Sequence, residues 1–250
     1  DLKLQYLAYR ELKAAVNLHK AKAGGIVVLD VKTGEVLALA NVPTYNPNNR
    51  TRYNAVRARN RVITDLFEPG STLKPFTVAT ALETGAFRAD SVVQTAGGSL
   101  TIGPATIRDA HASAINLTVA QVIQKSSNVG TAKMALALPS RRLWEMFSAA
   151  GFGALPRSGF PGEAGGRLRD FHTWRPIEQA TMSYGHGISV SLMQLARAYT
   201  IFCTDGELLP VTLVRRDEPV AGTRVVSAAT AVILRRMLQL VTEPGGTAPR

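Results

Sequence analysis

Ser71 and Lys74 stand three residues apart in the segment FEPGSTLKPF, residues 67–76. Residues at positions i and i+3 of a helix lie on one face, so the hydroxyl and the amine would be neighbours. A serine hydroxyl is a poor nucleophile until a base takes its proton. Lysine is such a base only when uncharged, which requires its pKa to fall from about 10.4 to roughly 7–8. The pair therefore predicts a nucleophile and its base, provided that Lys74 is buried.

The pattern that follows the pair favours burial. The helix predicted after Ser71 ends near Gly85, and apolar residues cover most of its circumference, which is typical of a buried helix. Burial disfavours the ammonium form of Lys74, and the positive end of the helix dipole acts in the same direction. The helix start also offers free backbone N–H groups that could hold a developing oxyanion. The alternative is an ordinary helix start with a surface lysine, since S-x-x-K often arises by chance.

A second polar segment, KSSN at Lys125–Asn128, interrupts a helical pattern. Such a break is useful if its side chains are needed in a cavity. Ser126 is then a candidate proton relay between Lys74 and a leaving group, and Asn128 offers both a carbonyl and an amide to a peptide substrate. The alternative is a capping turn between two helices.

The remaining sequence supplies the elements that must position these residues. Residues 25–41 predict two strands joined by a tight turn at Lys32-Thr33-Gly34. Helical spacing or helical composition occurs at 1–23, 117–124, 129–138, 140–150, 189–203 and 227–241, with Ser227 as an N-cap. We expect a polar loop at 43–61, loops with short strands at 86–113, irregular structure at 151–180 and a strand at 207–216.

Composition narrows the class of protein. The 250 residues, 46% hydrophobic and 19% charged, are those of a soluble globular protein with a sizeable core. The net charge of +11 raises nucleic acid as a partner, but the basic segment 50–61 carries no nucleic-acid-binding signature, so we expect none. The single Cys203 excludes an internal disulfide. His19, His111 and His172 lack metal-ligand spacing, so no metal or other cofactor is predicted.

Together these residues resemble the active-site serine penicillin-recognising enzymes, whose signature is S-x-x-K, then S-x-N, then K-T-G. The segments YNPNN, RNRVITDLFEPGSTLKPF, DVKTGEVLALAN, KSSNVG and YGHGISVSLMQLARAY look like the transpeptidase domain of class B penicillin-binding proteins, cell-division (FtsI-like) branch. The resemblance covers nearly the whole chain. It implies an α/β fold of the α+β type, with a central antiparallel sheet flanked by helices and an all-helical subregion.

The resemblance also implies a reaction. The serine attacks the D-Ala-D-Ala bond of a peptidoglycan stem peptide, and the acyl-enzyme passes to an amino group of a neighbouring stem; β-lactams acylate the same serine. Carried over by position, Ser71 is the nucleophile, Lys74 its base, Ser126 the proton relay and Asn128 a contact to the substrate amide. An N-terminal inner-membrane anchor, a periplasmic catalytic domain and division-complex membrane partners are implied as well.

The third motif departs from the family pattern. The chain's K-T-G, at Lys32-Thr33-Gly34, precedes Ser71 and predicts a hairpin turn instead. By the family's spacing the motif would fall just beyond Arg250, so we interpret residues 1–250 as a transpeptidase domain without that strand, and without the N-terminal anchor and pedestal regions. We expect the 1–250 chain alone to be inactive and poorly folded. Leu192-Met193 replaces the family's usual Pro-Leu, which should affect the helix start and not the chemistry.

Two other functions remain open on the same fold. A serine β-lactamase shares the first two motifs but needs a base for the deacylating water, and no carboxylate is an obvious candidate. A catalytically silent β-lactam sensor or division scaffold is the other, and the intact Ser71, Lys74, Ser126 and Asn128 argue against it. We interpret His186, in YGHG, as a loop residue without a catalytic duty.

Overall fold

The computed structural model describes residues 1–49, 51, 54–111 and 114–249. Positions 50, 52 and 53 of the basic segment, positions 112 and 113, and position 250 lie outside the described residues, together with the parts of the loop predictions that fall on them. No helix among the described residues is long and apolar enough to cross a lipid bilayer.

Ten α-helices and eight short strands are present in the described residues. The helices are Leu2–Leu18 (α1), Ala55–Ala58 (α2), Arg61–Thr64 (α3), Lys74–Glu83 (α4), Val119–Gln124 (α5), Asn128–Leu136 (α6), Ser140–Ala149 (α7), Pro176–Met182 (α8), Leu192–Cys203 (α9) and Ala228–Leu240 (α10). The strands are Gly24–Leu29 (β1), Val36–Val42 (β2), Val92–Gln94 (β3), Ser99–Ile102 (β4), Ala105–Arg108 (β5), Asn116–Thr118 (β6), Glu207–Leu208 (β7) and Thr223–Arg224 (β8).

The strands β1 and β2 form the predicted antiparallel hairpin, with Gly24 opposite Val42. Successive side chains of a strand point to opposite faces, and the hairpin is covered on both. One face packs on α1 through Ile26 and Val28, and the other packs on α3 and α9 through Val27 and Leu29. This double cover explains why both strands are apolar runs, IVVL and VLALA, instead of alternating sequences.

The K-T-G of this hairpin is a turn, as predicted. Gly34 has φ of +71°, in the left-handed region that favours glycine. A Cβ at Gly34 would also collide with the carbonyl oxygen of Pro210. Glycine is therefore required here by the backbone and by packing, without any catalytic reason.

The helix α4 is the centre of the largest core. Its first eight residues, Lys74–Ala81, are all buried, which confirms the prediction from its apolar circumference. Phe76 contacts the rings of Phe152, Tyr199 and Phe202, with centroids 4.8–5.6 Å apart. Helices α5, α6, α7, α9 and α10 contribute to the same core, and Leu73, the residue before α4, is buried in it.

Three predictions need correction, and the first is the polar loop at 43–61, which contains α2 at Ala55–Ala58. Residues 207–216 form a strand only at β7, followed by a single parallel bridge between Thr212 and Glu35. Pro210 lacks the N–H that a continuous ladder needs, which accounts for the break. The segment 151–180 is irregular up to residue 175, except for an antiparallel bridge between Arg167 and Ser189 and a short 3₁₀ turn at Phe171–Thr173. It ends in α8, which begins at Pro176.

Candidate active site

Ser71 lies in a 3₁₀ turn, Gly70–Leu73, that leads directly into α4, and it is exposed. The expected helix start is therefore confirmed, with the nucleophile candidate in the tighter turn before the α-helix. Gly70 has φ of +57°, which lets the chain turn sharply before Ser71. Thr72 follows; its hydroxyl donates to the Pro69 carbonyl at 2.7 Å, and its carbonyl accepts from the Tyr199 hydroxyl at 2.8 Å. The turn is thus held on both sides of Ser71.

Lys74 is buried, with 2% of its surface exposed. Its Nζ donates to two atoms of Ser126, the carbonyl oxygen at 2.5 Å and Oγ at 2.9 Å. Burial lowers the pKa of Lys74 to about 8, and the negative charge of Asp109 acts in the opposite direction. An amine in this state is neutral in an appreciable fraction of molecules near pH 7, as a general base requires.

Ser126 sits in the break between α5 and α6 that the sequence predicted. Its φ of +54° is uncommon for a residue other than glycine, and this conformation is compatible with both of its oxygens accepting from Lys74 Nζ. A neutral amine has two hydrogens and one lone pair. With both hydrogens directed at Ser126, the lone pair is left for another partner.

Ser71, Lys74 and Ser126 line one cavity of about 190 Å³. Its other described lining residues are Thr72, Pro75, Ile123, Tyr199, Leu238, Val241 and Thr247. The residues from α9, α10 and the segment after α10 come from the distant C-terminal part of the chain, so the tertiary fold completes the cavity. None of the described lining residues is a carboxylate.

Asn128 is the first residue of α6, and its position differs from that of Ser126. Its Nδ2 donates to the carbonyl oxygen of Arg108 at 2.9 Å, and Asn128 is not among the residues that line the cavity of Ser71. Its role as a substrate contact therefore stays a prediction. His186 and the hairpin residues Lys32-Thr33-Gly34 are also not among that cavity's lining residues.

Sequence reasoning missed Asp109. Its two carboxylate oxygens hold the start of α6: Oδ2 accepts from Ser127 Oγ at 2.8 Å and Oδ1 accepts from the Val129 N–H at 2.9 Å. Ser127 Oγ in turn accepts from the Gly130 N–H at 2.9 Å as the N-cap of α6. Asp109 therefore fixes Ser127 and Val129, the two neighbours of Asn128, and Ser127 is also the residue after Ser126. Asp109 lies 18 residues before Ser127 in the chain.

Replacing Asp109 by alanine is expected to lower the free energy of unfolding by about 1–3 kcal/mol, because the buried Ser127 hydroxyl and the Val129 N–H lose their acceptors. Urea denaturation of the full-length protein measures this. Asp109→Asn, which keeps one acceptor oxygen, should lose less. The control is Asp90→Ala, which removes an exposed carboxylate paired with Arg88 and should change stability by less than about 0.5 kcal/mol. Equal stability of the two alanine variants would contradict the proposed role of Asp109.

Comparison with known proteins identifies the family of the chain. Residues 24–250 match the model of the penicillin binding protein transpeptidase domain, and the chain belongs to that family. The recognition of a class B, FtsI-like transpeptidase domain is confirmed by curated relatives. The chain is 47% identical over 247 residues to a "Probable peptidoglycan D,D-transpeptidase PenA" of Neisseria flavescens, covering 99% of this chain and 61% of that protein. It is 44% identical over 246 residues to "Peptidoglycan D,D-transpeptidase FtsI" of Escherichia coli, covering 98% of this chain and 41% of that protein.

Solved structures confirm the fold class. The apo structure of the TP domain from Burkholderia pseudomallei penicillin-binding protein 3 superposes with a TM-score of 0.91 at 49% identity, covering all of this chain and 71% of that one. The chain spans about three fifths of the length of the PenA relative and about two fifths of the length of the FtsI relative.

Proposed function

We propose that this chain is the catalytic domain of a peptidoglycan D,D-transpeptidase that cross-links stem peptides through a serine acyl-enzyme and is acylated by β-lactams. The observation that carries the proposal is the buried Lys74 amine, whose pKa falls to about 8 and whose two acceptors both belong to Ser126, in the cavity that it shares with Ser71. The names of the PenA and FtsI relatives support the substrate class.

The proposed reaction has two steps. Ser71 Oγ attacks the carbonyl carbon of the penultimate D-Ala, and its proton passes to the lone pair of Lys74 Nζ. The C–N bond then breaks, and the proton reaches the leaving amine of the terminal D-Ala through Ser126, which leaves an ester on Ser71. In the second step the amine of a neighbouring stem attacks this ester and loses its proton to Lys74, which passes it to Ser71 Oγ as the ester C–O bond breaks. Both steps account for every proton transferred without a metal or another cofactor.

The finer assignments are part of the same proposal. Asn128 contacts the amide of the bound stem peptide, and a K-T-G strand following residue 250 supplies one oxyanion N–H and binds the terminal carboxylate. The protein acts in septal wall synthesis, anchored in the inner membrane by a region preceding residue 1, with its catalytic domain in the periplasm and with division-complex membrane proteins as partners. A fluorescent fusion of the full-length protein that fails to concentrate at the septum would contradict the septal role.

Labelling with a fluorescent penicillin tests the catalytic proposal. The full-length protein is expected to form a stable adduct at one serine and to show negligible steady-state turnover of nitrocefin, because no carboxylate lines the described part of the Ser71 cavity. The 1–250 chain is expected to label at least about 100-fold more slowly, since the loss of one oxyanion donor alone typically costs 10²–10³ in rate. Fast nitrocefin turnover would favour a β-lactamase instead, and efficient labelling of the 1–250 chain would contradict the need for a third motif.

A further inference from the structure

The segment before Ser71 runs antiparallel to the segment 184–190. Phe67 and Val190 exchange two backbone hydrogen bonds of 3.0 Å each. Three residues further along, the Gly70 N–H donates to the Gly185 carbonyl at 3.1 Å. Ser71 is the next residue, so the nucleophile candidate stands at the end of a short ladder between two segments that are more than 110 residues apart in the chain.

The backbone cannot complete the middle of this ladder, because Pro69 has no N–H to donate. The side chain of Glu68 takes that place. Its Oε1 accepts from the Gly187 N–H at 2.8 Å, and its Oε2 is 3.0 Å from His186 Nδ1. The hydrogen bond from Gly187, followed by that from His186, lowers the pKa of Glu68. Because an ionised carboxylate only accepts hydrogen bonds, His186 donates from Nδ1.

The turn that Glu68 holds, Tyr184–Gly187, is packed directly on the residue before the nucleophile. Gly185 has φ of +88°, and a Cβ there would collide with the backbone of Gly70. Backbone lies against backbone at this point, without a side chain between them to absorb a shift. A displacement of the turn is therefore passed to Gly70, and from Gly70 to Ser71.

We infer that Glu68 is a positioning residue for Ser71, which it orients by clamping the 184–187 turn through Gly187 and His186. The inference deepens the proposed function, on which it rests, because it assigns a geometric role next to the proposed nucleophile. Glu68 touches neither Ser71 nor Lys74 by any hydrogen bond found among the described residues, so its effect is indirect.

Stopped-flow acylation of the full-length protein by a fluorescent penicillin tests the inference, because it separates non-covalent binding from the acylation step. Glu68→Ala is expected to lower the acylation rate constant about 10- to 100-fold, since a displacement of about 1 Å at a reacting group can cost 10²-fold. The dissociation constant of the non-covalent complex should change by less than about twofold. Glu68→Gln keeps an acceptor for Gly187 and should restore the rate to within about threefold of the wild type.

The matched control is Glu11→Ala. Glu11 is as exposed as Glu68 and pairs with Arg10 on α1, outside the ladder, so its loss should leave acylation unchanged. Hydrogen exchange gives an independent readout: the Gly187 amide should exchange faster in Glu68→Ala and not in Glu68→Gln. If Glu68→Ala does not fold, the acylation rate constants of His186→Ala and His186→Asn are compared instead. Asparagine keeps a donor near the Nδ1 position, so His186→Asn should lose less of the rate than His186→Ala.

An acylation rate constant of Glu68→Ala within twofold of the wild type, with unchanged exchange at Gly187, would overturn the inference. Equal losses in Glu68→Ala and Glu68→Gln would also overturn it, because the clamp acts through hydrogen-bond acceptance. A wild-type protein that forms no adduct would instead contradict the proposed function, and hydrogen exchange would still decide whether Glu68 clamps the turn.

Discussion

Ser71→Ala is expected to abolish the penicillin adduct of the full-length protein while leaving its stability unchanged. In the proposed reaction the adduct is an ester of the Ser71 hydroxyl, and no neighbouring group should replace that atom as the nucleophile at a comparable rate. Ser71 is exposed, and its hydroxyl makes no hydrogen bond with the described residues. Alanine should therefore change the free energy of unfolding by less than about 0.5 kcal/mol. Chemistry and folding are therefore separable at this position.

Intact-protein mass spectrometry after exposure to penicillin measures this effect, and digestion locates the adduct on a peptide containing residues 62–74. The control is Ser148→Ala, an exposed serine of α7 outside the site, which should acylate like the wild type. An adduct of normal yield on the Ser71→Ala protein would place the nucleophile elsewhere and would remove the basis of the proposed function.

The local features of the site could be predicted from the sequence. The burial of Lys74 follows from the apolar circumference of α4, and the break before Asn128 follows from two serines and an asparagine between helical patterns. Both depend on periodicity within ten or so residues, which a sequence displays directly. The hairpin role of Lys32-Thr33-Gly34 was predictable for the same reason, since the turn chemistry is local.

Long-range partners could not be predicted in this way. In the sequence, Asp109 is a carboxylate in a predicted loop with nothing to distinguish it from an exposed one. Its contact with Ser127 is formed only when the chain folds. Tyr199 lies in a helix whose aromatic residues predict core, yet its hydroxyl reaches the Thr72 carbonyl 127 residues away. Ser126 was predicted as a relay through its hydroxyl, but the structure shows that its carbonyl is the closer acceptor of Lys74. A backbone carbonyl carries no sequence signature.

Lys74 gives the second large effect, which is the pH dependence of acylation. With a pKa of about 8, roughly one Lys74 in ten is neutral at pH 7, and the rate should rise about tenfold from pH 6 to 7 and level off above 8. Lys74→Met removes the proposed base and should lower the acylation rate about 10²–10⁴-fold. Lys74→Arg should be as defective, because a guanidinium stays protonated at these pH values. The measurement is stopped-flow acylation between pH 6 and 9.5, with the exposed Lys13→Met as the control.

The lowered pKa of the buried Lys74 amine also predicts how the stability of the protein changes with pH. The folded-state pKa of Lys74 lies below its ordinary value, so between about pH 8 and 10.5 the unfolded protein binds more protons than the folded one. Stability contributed by Lys74 therefore rises with pH across that window, by roughly 3 kcal/mol. Lys74→Met lacks the titrating group, so the stability difference between wild type and variant should shift in favour of the wild type as the pH rises. Urea denaturation of both proteins at pH 7.5 and 10 measures this difference. An equal difference at the two pH values would show that Lys74 is not titrating from a buried position. It would leave Ser71 without the neutral base on which the proposed reaction depends.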